Sequence, residues 1–351
     1  MRYADLHAAS LADPAGYWLE RAARLRWFEA PRRAFEEAAA GTVRWFPDGV
    51  LNTAWLCLDA HVEAGRGDAP ALIFDSPVTG TQRTFTFAEL TGRVARMAGA
   101  LRDLGVARGD RVVIYMPMVP EAAVAMLACA RLGAVHSVVF GGFAARELAL
   151  RLDDARPKAL ITASCGIEFD RVVPYAPLVN EALRLSEAPP PAVIMLQRDR
   201  QPAETVAGRD HDWDELEAAA TPADAVPVAA TDPLYILYTS GTTGRPKGVL
   251  RDHGGHAVAL AESMGSIYGV GAGDVFWAAS DVGWVVGHSY IVYGPLLAGC
   301  TAVLYEGKPV RTPDAGAFWR VIAEHRVRTF FVAPTAFRAV RKEDPEAALR
   351  T

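Results

Sequence analysis

The stretch Pro233-Leu-Tyr-Ile-Leu-Tyr-Thr-Ser-Gly-Thr-Thr-Gly-Arg-Pro-Lys-Gly-Val249 falls into two physical regimes. Pro233 to Tyr238 is an apolar, β-prone run with the length of a buried strand. From Thr239 onward the chain concentrates glycines, hydroxyls and cations. Gly241 and Gly244 let backbone N–H groups converge on an oxyanion. Thr239, Ser240, Thr242 and Thr243 add hydroxyls, and Lys247 is a compact, flexible positive charge suited to phosphate. With a strand before it and a helix expected from about 254 to 267, the loop occupies the position where open α/β sheets bind ligands. A polar connection without a ligand is the plainer alternative. The common NTPase loop sets its first glycine further from a Gly-Lys-Ser/Thr. Here Gly241 and Gly244 are separated by two residues and Lys247 precedes Gly248, which disfavours a GTPase-like or kinase-like loop.

Outward from this stretch the chain alternates strand and helix. Arg111–Met116, Ala134–Phe140, Lys158–Thr162 and Ala192–Leu196 read as strands, with helices at Pro120–Leu132, Ala144–Asp154 and Pro177–Leu185. Beyond the loop come strands at Asp274–Ala279, Thr301–Tyr305 and Thr329–Val332, with helices at Tyr290–Leu297 and Phe318–His325. The alternation predicts an α/β fold of parallel sheets covered by helices on both faces. A segment rich in Asp, Ala, Pro and Thr, about 198–232, reads as a linker between two strand–helix arrays, with one short helix at Trp213–Ala219. The first 65 residues differ: Tyr17–Trp27 and Leu51–Val62 carry apolar residues at helical spacing around a Phe46-Pro-Asp-Gly49 turn, which predicts a helical brace.

The composition bounds the partners. The 351 residues carry a net charge of −5, are 51% hydrophobic and 22% charged, and contain no apolar run of membrane-spanning length. Neither nucleic acid nor a membrane is the expected partner, and oligomeric state is not legible. Cys57, Cys129, Cys165 and Cys300 are widely separated among small or apolar residues, which predicts buried thiols, no metal site and a reducing, cytoplasmic setting.

Tyr238–Val249 resembles the signature loop of the adenylate-forming (AMP-binding) ligases, the family that includes acyl-CoA synthetases. Tyr115-Met-Pro-Met-Val-Pro-Glu-Ala-Ala-Val-Ala-Met-Leu-Ala-Cys-Ala-Arg-Leu-Gly-Ala-Val-His-Ser137 and Asp281-Val-Gly-Trp-Val-Val-Gly-His-Ser-Tyr290 are similar to runs of acetyl- and propionyl-CoA synthetases, as is the Tyr17-Trp18 opening. Ser164-Cys-Gly-Ile-Glu168 and Gly248-Val-Leu-Arg-Asp-His-Gly-Gly255 look closer to the propionyl type. The resemblance covers nearly the whole chain and implies two parts. Residues 1–65 correspond to the acetyl-CoA-synthetase-type N-terminal segment, and 66–351 to a ligase core that is incomplete at its C-terminus.

The implied chemistry is ATP-dependent ligation of a short-chain carboxylate to coenzyme A through an acyl-adenylate, with ATP, Mg2+ and CoA as cofactors. Propionate is favoured; an acetate ligase or an inactive fragment that only binds are the alternatives. By the resemblance, Thr239, Ser240, Gly241, Thr242, Thr243, Gly244 and Lys247 hold the ATP phosphates, Lys247 as the catalytic cation. Trp284, Val285 and Val286 line the acyl pocket; acetyl relatives have Thr where Val286 stands. Gly141, Gly142, Phe143 and Arg171 meet CoA, although Glu168 stands where acetyl enzymes have a cation. His288 reads as a core histidine and Arg338 as a helix-surface cation. The Mg2+-coordinating Glu, the adenine pocket and the adenylation Lys of the family are expected downstream of Thr351.

Overall fold

The structure, a computed structural model, describes residues 3–239 and 247–350. Two sheets organise it. The larger has seven strands in the order Asp210–Asp212, Ala192–Leu196, Ala159–Ala163, Arg111–Tyr115, Val135–Val138, Pro233–Thr239, Lys247–Asp252. The smaller has five, in the order Thr329–Val332, Val275–Ala279, Thr301–Tyr305, Pro70–Ser76, Thr81–Thr86. All neighbours are parallel except one pair at an edge of each sheet, Pro233–Thr239 with Lys247–Asp252 and Pro70–Ser76 with Thr81–Thr86.

Side-chain alternation builds the layers. Val112 and Ile114 face a large central core, whereas Val113 and Tyr115 face a second core under helices Ala145–Ala155 and Ala176–Leu185. In the smaller sheet Leu72 and Phe74 join the central core, while Ile73 packs with Trp277 and Val303 beneath helix Ala317–Glu324. Strands buried on both faces are why these segments read as continuous apolar runs. Helix Pro120–Leu132 begins with Pro at its first turn, ends at a left-handed Gly133 (φ 69°) and is buried at every residue but Glu121.

Three expectations are corrected. The strand arrays do not divide at 198–232: Pro70–Ser76 precedes that segment yet pairs with Thr301–Tyr305, and Pro233–Thr239 follows it yet pairs with Val135–Val138. The glycine-rich loop does not lead straight into a helix. The strands on either side of it pair antiparallel, with Thr239↔Lys247 the last registered pair, and helix His253–Ser266 starts only after the second strand, capped by Asp252 accepting from His256 N at 3.2 Å. Leu51–Val62 is not one helix; Leu58 (φ −129°, ψ −75°) breaks it into Thr53–Cys57 and Asp59–His61.

The N-terminal segment is tied to the body by buried polar groups. Asn52 Nδ2 donates to the carbonyls of Ala130, Arg131 and Val226 at 2.9–3.0 Å, and Arg131 pairs with both Asp59 oxygens at 2.6 and 3.0 Å. Tyr17 and Arg21 both reach Glu262 on helix His253–Ser266 at 3.0 Å.

Candidate active site

Three sequence-predicted groups lie at neighbouring places around the larger sheet. The first is the hairpin. Thr239 Oγ1 donates to the Lys247 carbonyl at 3.4 Å, and Lys247 is exposed, with no carboxylate at ion-pair distance among the described residues. Ser240, Gly241, Thr242, Thr243 and Gly244 lie outside the described residues. The strand leading into the loop is anchored: the Tyr238 hydroxyl donates to the Asp154 carboxylate. Burial and that carboxylate together push the Tyr238 phenol well above its ordinary range.

The second is a cavity of about 310 Å³, lined by Gly141, Gly142, Phe143 and Arg171, so all four expected CoA residues face one space. The turn Gly141–Phe143 is fixed from beneath by Tyr115, whose hydroxyl donates to the carbonyls of Gly141 at 3.1 Å and Phe143 at 2.8 Å. Burial pushes the Tyr115 phenol up to about 12, which keeps it protonated as that donor. Tyr175 explains two glycines at once: a Cβ on Gly141 would stand 2.2 Å from its hydroxyl oxygen, and one on Gly166 2.7 Å. Arg171, exposed, reaches the Glu168 carboxylate at 3.4 Å, and Lys308 Nζ lies 4.0 Å from that same side chain.

The third is Asp281–Tyr290. Trp284 and Val285 are 47% and 42% exposed, while Val286 packs partly buried on the central core. The Trp284 ring lies 5.3 Å from that of Phe140, which lines the cavity, and 6.3 Å from that of Phe143. None of Trp284, Val285 and Val286 lines the cavity itself. His288 is buried, with Nδ1 2.9 Å from the Trp284 carbonyl; burial lowers it to about 4, so it stays neutral as the core histidine expected.

Arg151 joins the first two groups, and no motif in the sequence points to it. Its guanidinium lies 4.7 Å over the Phe143 ring and 5.7 Å from the Tyr238 ring, held by the Glu147 carboxylate at 2.9 Å. Three further polar residues of the cavity wall also escape sequence reasoning: Asp281, Glu306 and Lys308. Burial raises the Asp281 carboxyl against the opposing Gly283 N–H, which donates at 2.8 Å. Glu306 is buried and held by Arg198 at 2.8 Å and the Ser76 hydroxyl at 2.8 Å. These residues come together only through the fold, from segments far apart in the chain.

No helix among the described residues is long and apolar enough to cross a membrane. All four cysteines are buried and unpaired.

Comparison with known proteins finds relatives along the whole chain. The family described as AMP-binding enzyme matches residues 58–350, and that described as acetyl-coenzyme A synthetase N-terminus matches residues 3–57. The chain is 54% identical over 348 residues to the human mitochondrial acyl-CoA synthetase short-chain family member 3, covering 99% of this chain and 51% of that protein. It is 44% identical over 353 residues to the propionate–CoA ligase of Escherichia coli, covering 100% of this chain and 56% of that protein. Among solved structures, acetoacetyl-CoA synthetase from Streptomyces lividans superposes with a TM-score of 0.88 at 32% identity, over 97% of this chain and 51% of that one. The chain thus spans about half the length of the relatives it matches.

Proposed function

The chain belongs to the AMP-binding enzyme family, and from that premise we propose that it carries the phosphate-side and thiol-side parts of an ATP-dependent acyl-CoA ligase for a short-chain carboxylate. In the first half-reaction a carboxylate oxygen bonds to the α-phosphorus of ATP and the bond to pyrophosphate breaks. In the second, the CoA thiolate bonds to the acyl carbon, AMP leaves, and the thiol proton goes to solvent. Both steps depend on positioning anions and on spreading the charge of a leaving group.

Lys247, free of any carboxylate among the described residues, supplies a cation for the β- and γ-phosphates, with Thr239 beginning the loop that surrounds them. Gly141, Gly142 and Phe143 form the wall along which CoA approaches, and Arg171 faces the same space. Trp284, Val285 and Val286 select the acyl group. An apolar Val286 favours propionate over acetate, and one methylene is worth about 1–3 kcal/mol. The relative named propionate–CoA ligase supports this preference.

Mg2+ would accompany ATP, but the described residues do not offer it a site at the hairpin. The one group of carboxylates and imidazole among them close enough to share an ion, Asp75, Glu324 and His325, lies at the smaller sheet. Both Asp75 oxygens there accept from Arg320 at 2.8–2.9 Å.

The observation that carries the proposal is the bridge made by Arg151 between Tyr238, at the mouth of the phosphate hairpin, and Phe143, on the CoA-facing turn. The test is propionate-dependent exchange of labelled pyrophosphate into ATP, run beside equilibrium binding of CoA, with the chain as it stands. Exchange that is faster with propionate than acetate supports the full reading. CoA binding without exchange restricts the proposal to the thiol side, and the absence of both overturns it.

A further inference from the structure

Three carboxylates line the cavity that carries Gly141–Phe143, and the fold treats them differently. Glu168 is approached by two cations, Arg171 at 3.4 Å and Lys308 at 4.0 Å. Glu306 is held by Arg198 and by the Ser76 hydroxyl, each at 2.8 Å. Asp281 has no cation at ion-pair distance among the described residues. Its Oδ1 accepts from Gly283 N at 2.8 Å, and its other oxygen has no hydrogen-bond partner among them. A half-buried carboxylate with one oxygen uncommitted on a cavity wall has capacity to accept a proton.

The residues that follow fix its position. Val282 N donates to Met118 Sδ at 3.3 Å, and Met118 also lines the cavity. Gly283 lies so close to Phe140 that an ideal Cβ there would stand 2.8 Å from the Phe140 Cα. The Trp284 ring packs 5.3 Å from the Phe140 ring. A Cβ on Gly287 would stand 2.0 Å from the Asp281 carbonyl oxygen, so the segment folds back tightly on its first residue. Asp281 therefore stands where the CoA-facing wall passes into Trp284–Val286. A thiol arriving along the cavity would meet an acyl group at that junction.

The surroundings suit an acceptor. Burial raises the Asp281 carboxyl above its ordinary value, with the Gly283 N–H and the charge of Lys308 opposing. The Tyr175 phenol also senses the Asp281 charge, but burial holds it well above its ordinary range, so it stays neutral.

Building on the reading of this cavity as the thiol-substrate site, we propose that Asp281 is a catalytic residue of the second half-reaction, the base that takes the CoA thiol proton. As the sulfur bonds to the acyl carbon, its proton passes to the uncommitted Asp281 oxygen. The bond from that carbon to the AMP oxygen breaks, AMP leaves with the electron pair, and Asp281 releases the proton to solvent. Glu168 and Glu306, each facing a cation, do not take this role.

The experiment supplies synthetic propionyl-adenylate and CoA to the chain as it stands and to Asp281→Asn, which keeps an acceptor for Gly283 N. Thioester formation is followed from about pH 6.5 to 9, beside equilibrium binding of CoA and absorbance titration of the bound thiol. Expected near neutral pH is a rate about a hundredfold lower in Asp281→Asn, with CoA affinity nearly unchanged. The variant's rate then climbs about tenfold per pH unit as the thiol ionises without help, while that of the unmodified chain stays nearly flat. The bound thiol should also titrate about one pH unit higher in the unmodified chain, because an adjacent carboxylate disfavours the thiolate. A deficit constant with pH, no deficit, or loss of CoA binding by the variant overturns the inference and leaves the cavity's reading intact. Where CoA binds but no thioester forms, the thiol titration decides. An unchanged value in Asp281→Asn overturns the inference, and a lowered one sustains it. Failure of the unmodified chain to bind CoA overturns both.

Discussion

The Tyr175 hydroxyl occupies the place where a side chain on Gly141 would begin, 2.2 Å from an ideal Cβ at that position. No heavy atom tolerates that approach, so Gly141→Ala must displace either the ring or the turn. The turn gives way more easily, because Tyr175 is buried and packed with Tyr115 at 4.9 Å between ring centroids. The expected result is CoA affinity weakened at least several-fold, with a stability loss of about 1–3 kcal/mol. Tyr175→Phe in the same chain removes the clashing oxygen and restores part of both. Calorimetric binding and urea unfolding of the single and double variants decide it: no recovery in the double variant means the turn is set by something other than Tyr175.

Lys247 answers a different question, whether the hairpin holds phosphate at all. Since it has no carboxylate partner among the described residues, its removal leaves no buried charge behind. Lys247→Ala should therefore leave the unfolding midpoint within error and weaken pyrophosphate binding roughly tenfold or more. Lys247→Arg should recover only part, because a fork does not replace a point charge. Pyrophosphate affinity unaffected by Lys247→Ala would remove the hairpin from the site.

Much of the fold is legible locally, and the reason is burial on both faces. Ala192–Leu196, Thr301–Tyr305 and helix Pro120–Leu132 appear in the structure with the bounds that their apolar runs predict, and so does the half-buried edge strand Thr329–Val332, whose Phe-Phe-Val run is itself β-prone. Lys247–Asp252 escapes such reading because it is an exposed edge strand. Leu250 is 58% exposed, and the segment's glycine and charges look like loop. The hairpin Cys165–Glu168 with Arg171–Pro174 escapes for a similar reason, being too short and half-exposed to show alternation. Sheet membership is not local at all: nothing within Pro70–Ser76 announces that its neighbour is Thr301–Tyr305. At the candidate site, family likeness singles out Gly141–Phe143 and Arg171, which the fold brings to one cavity, and Trp284, which packs beside its Phe140 wall. The roles of Tyr115, Tyr175 and Arg151 are not legible, because each works by touching a residue from another strand or helix.

Selectivity for the acyl group should respond to Val286. It is partly buried against the central core beside the exposed Trp284 and Val285. Val286→Thr keeps the branched shape and adds a hydroxyl facing the space proposed for the acyl tail. The ratio of propionate- to acetate-dependent pyrophosphate exchange should fall roughly tenfold, the scale set by one methylene. An unchanged ratio would mean that Val286 serves only the core, the reading that its distance from the cavity lining allows.

Acid should weaken the fold through its buried imidazoles. His136, His256 and His288 are buried around Tyr235 and Tyr293, with ring contacts such as His136–His288 at 5.5 Å and Tyr235–His288 at 4.7 Å, and His253 is buried beside Thr53. Their hydrogen bonds go to neutral groups: His253 Nδ1 to Thr53 Oγ1 at 2.8 Å and His136 Nε2 to the Tyr293 hydroxyl at 2.6 Å. Burial is the main cause that lowers His253 and His256 to about 3 and His288 to about 4, and holds His136 well below its ordinary value. The charges facing them add to this, Arg108 at His253 and Arg251 at His256. Because the unfolded chain takes up these protons first, the stability of the neutral cluster is complete above about pH 6.5. It is lost as pH falls from there toward the folded values, at up to about 1.4 kcal/mol per pH unit for each group. The buried carboxyls of Asp252, Asp281 and Glu306, raised by burial, act in the opposite sense, and their unfolded counterparts titrate about two pH units below unfolded imidazoles. Between about pH 6.5 and 5.5 the histidines therefore set the slope, and the urea midpoint should drop steeply across that unit while barely moving from about pH 8 to 7. Replacing His253 by Asn, which keeps a donor and an acceptor near Thr53 but does not titrate, should flatten the drop. A midpoint constant from about pH 7 to 5 would mean the cluster gains no protons on unfolding and is not buried as described.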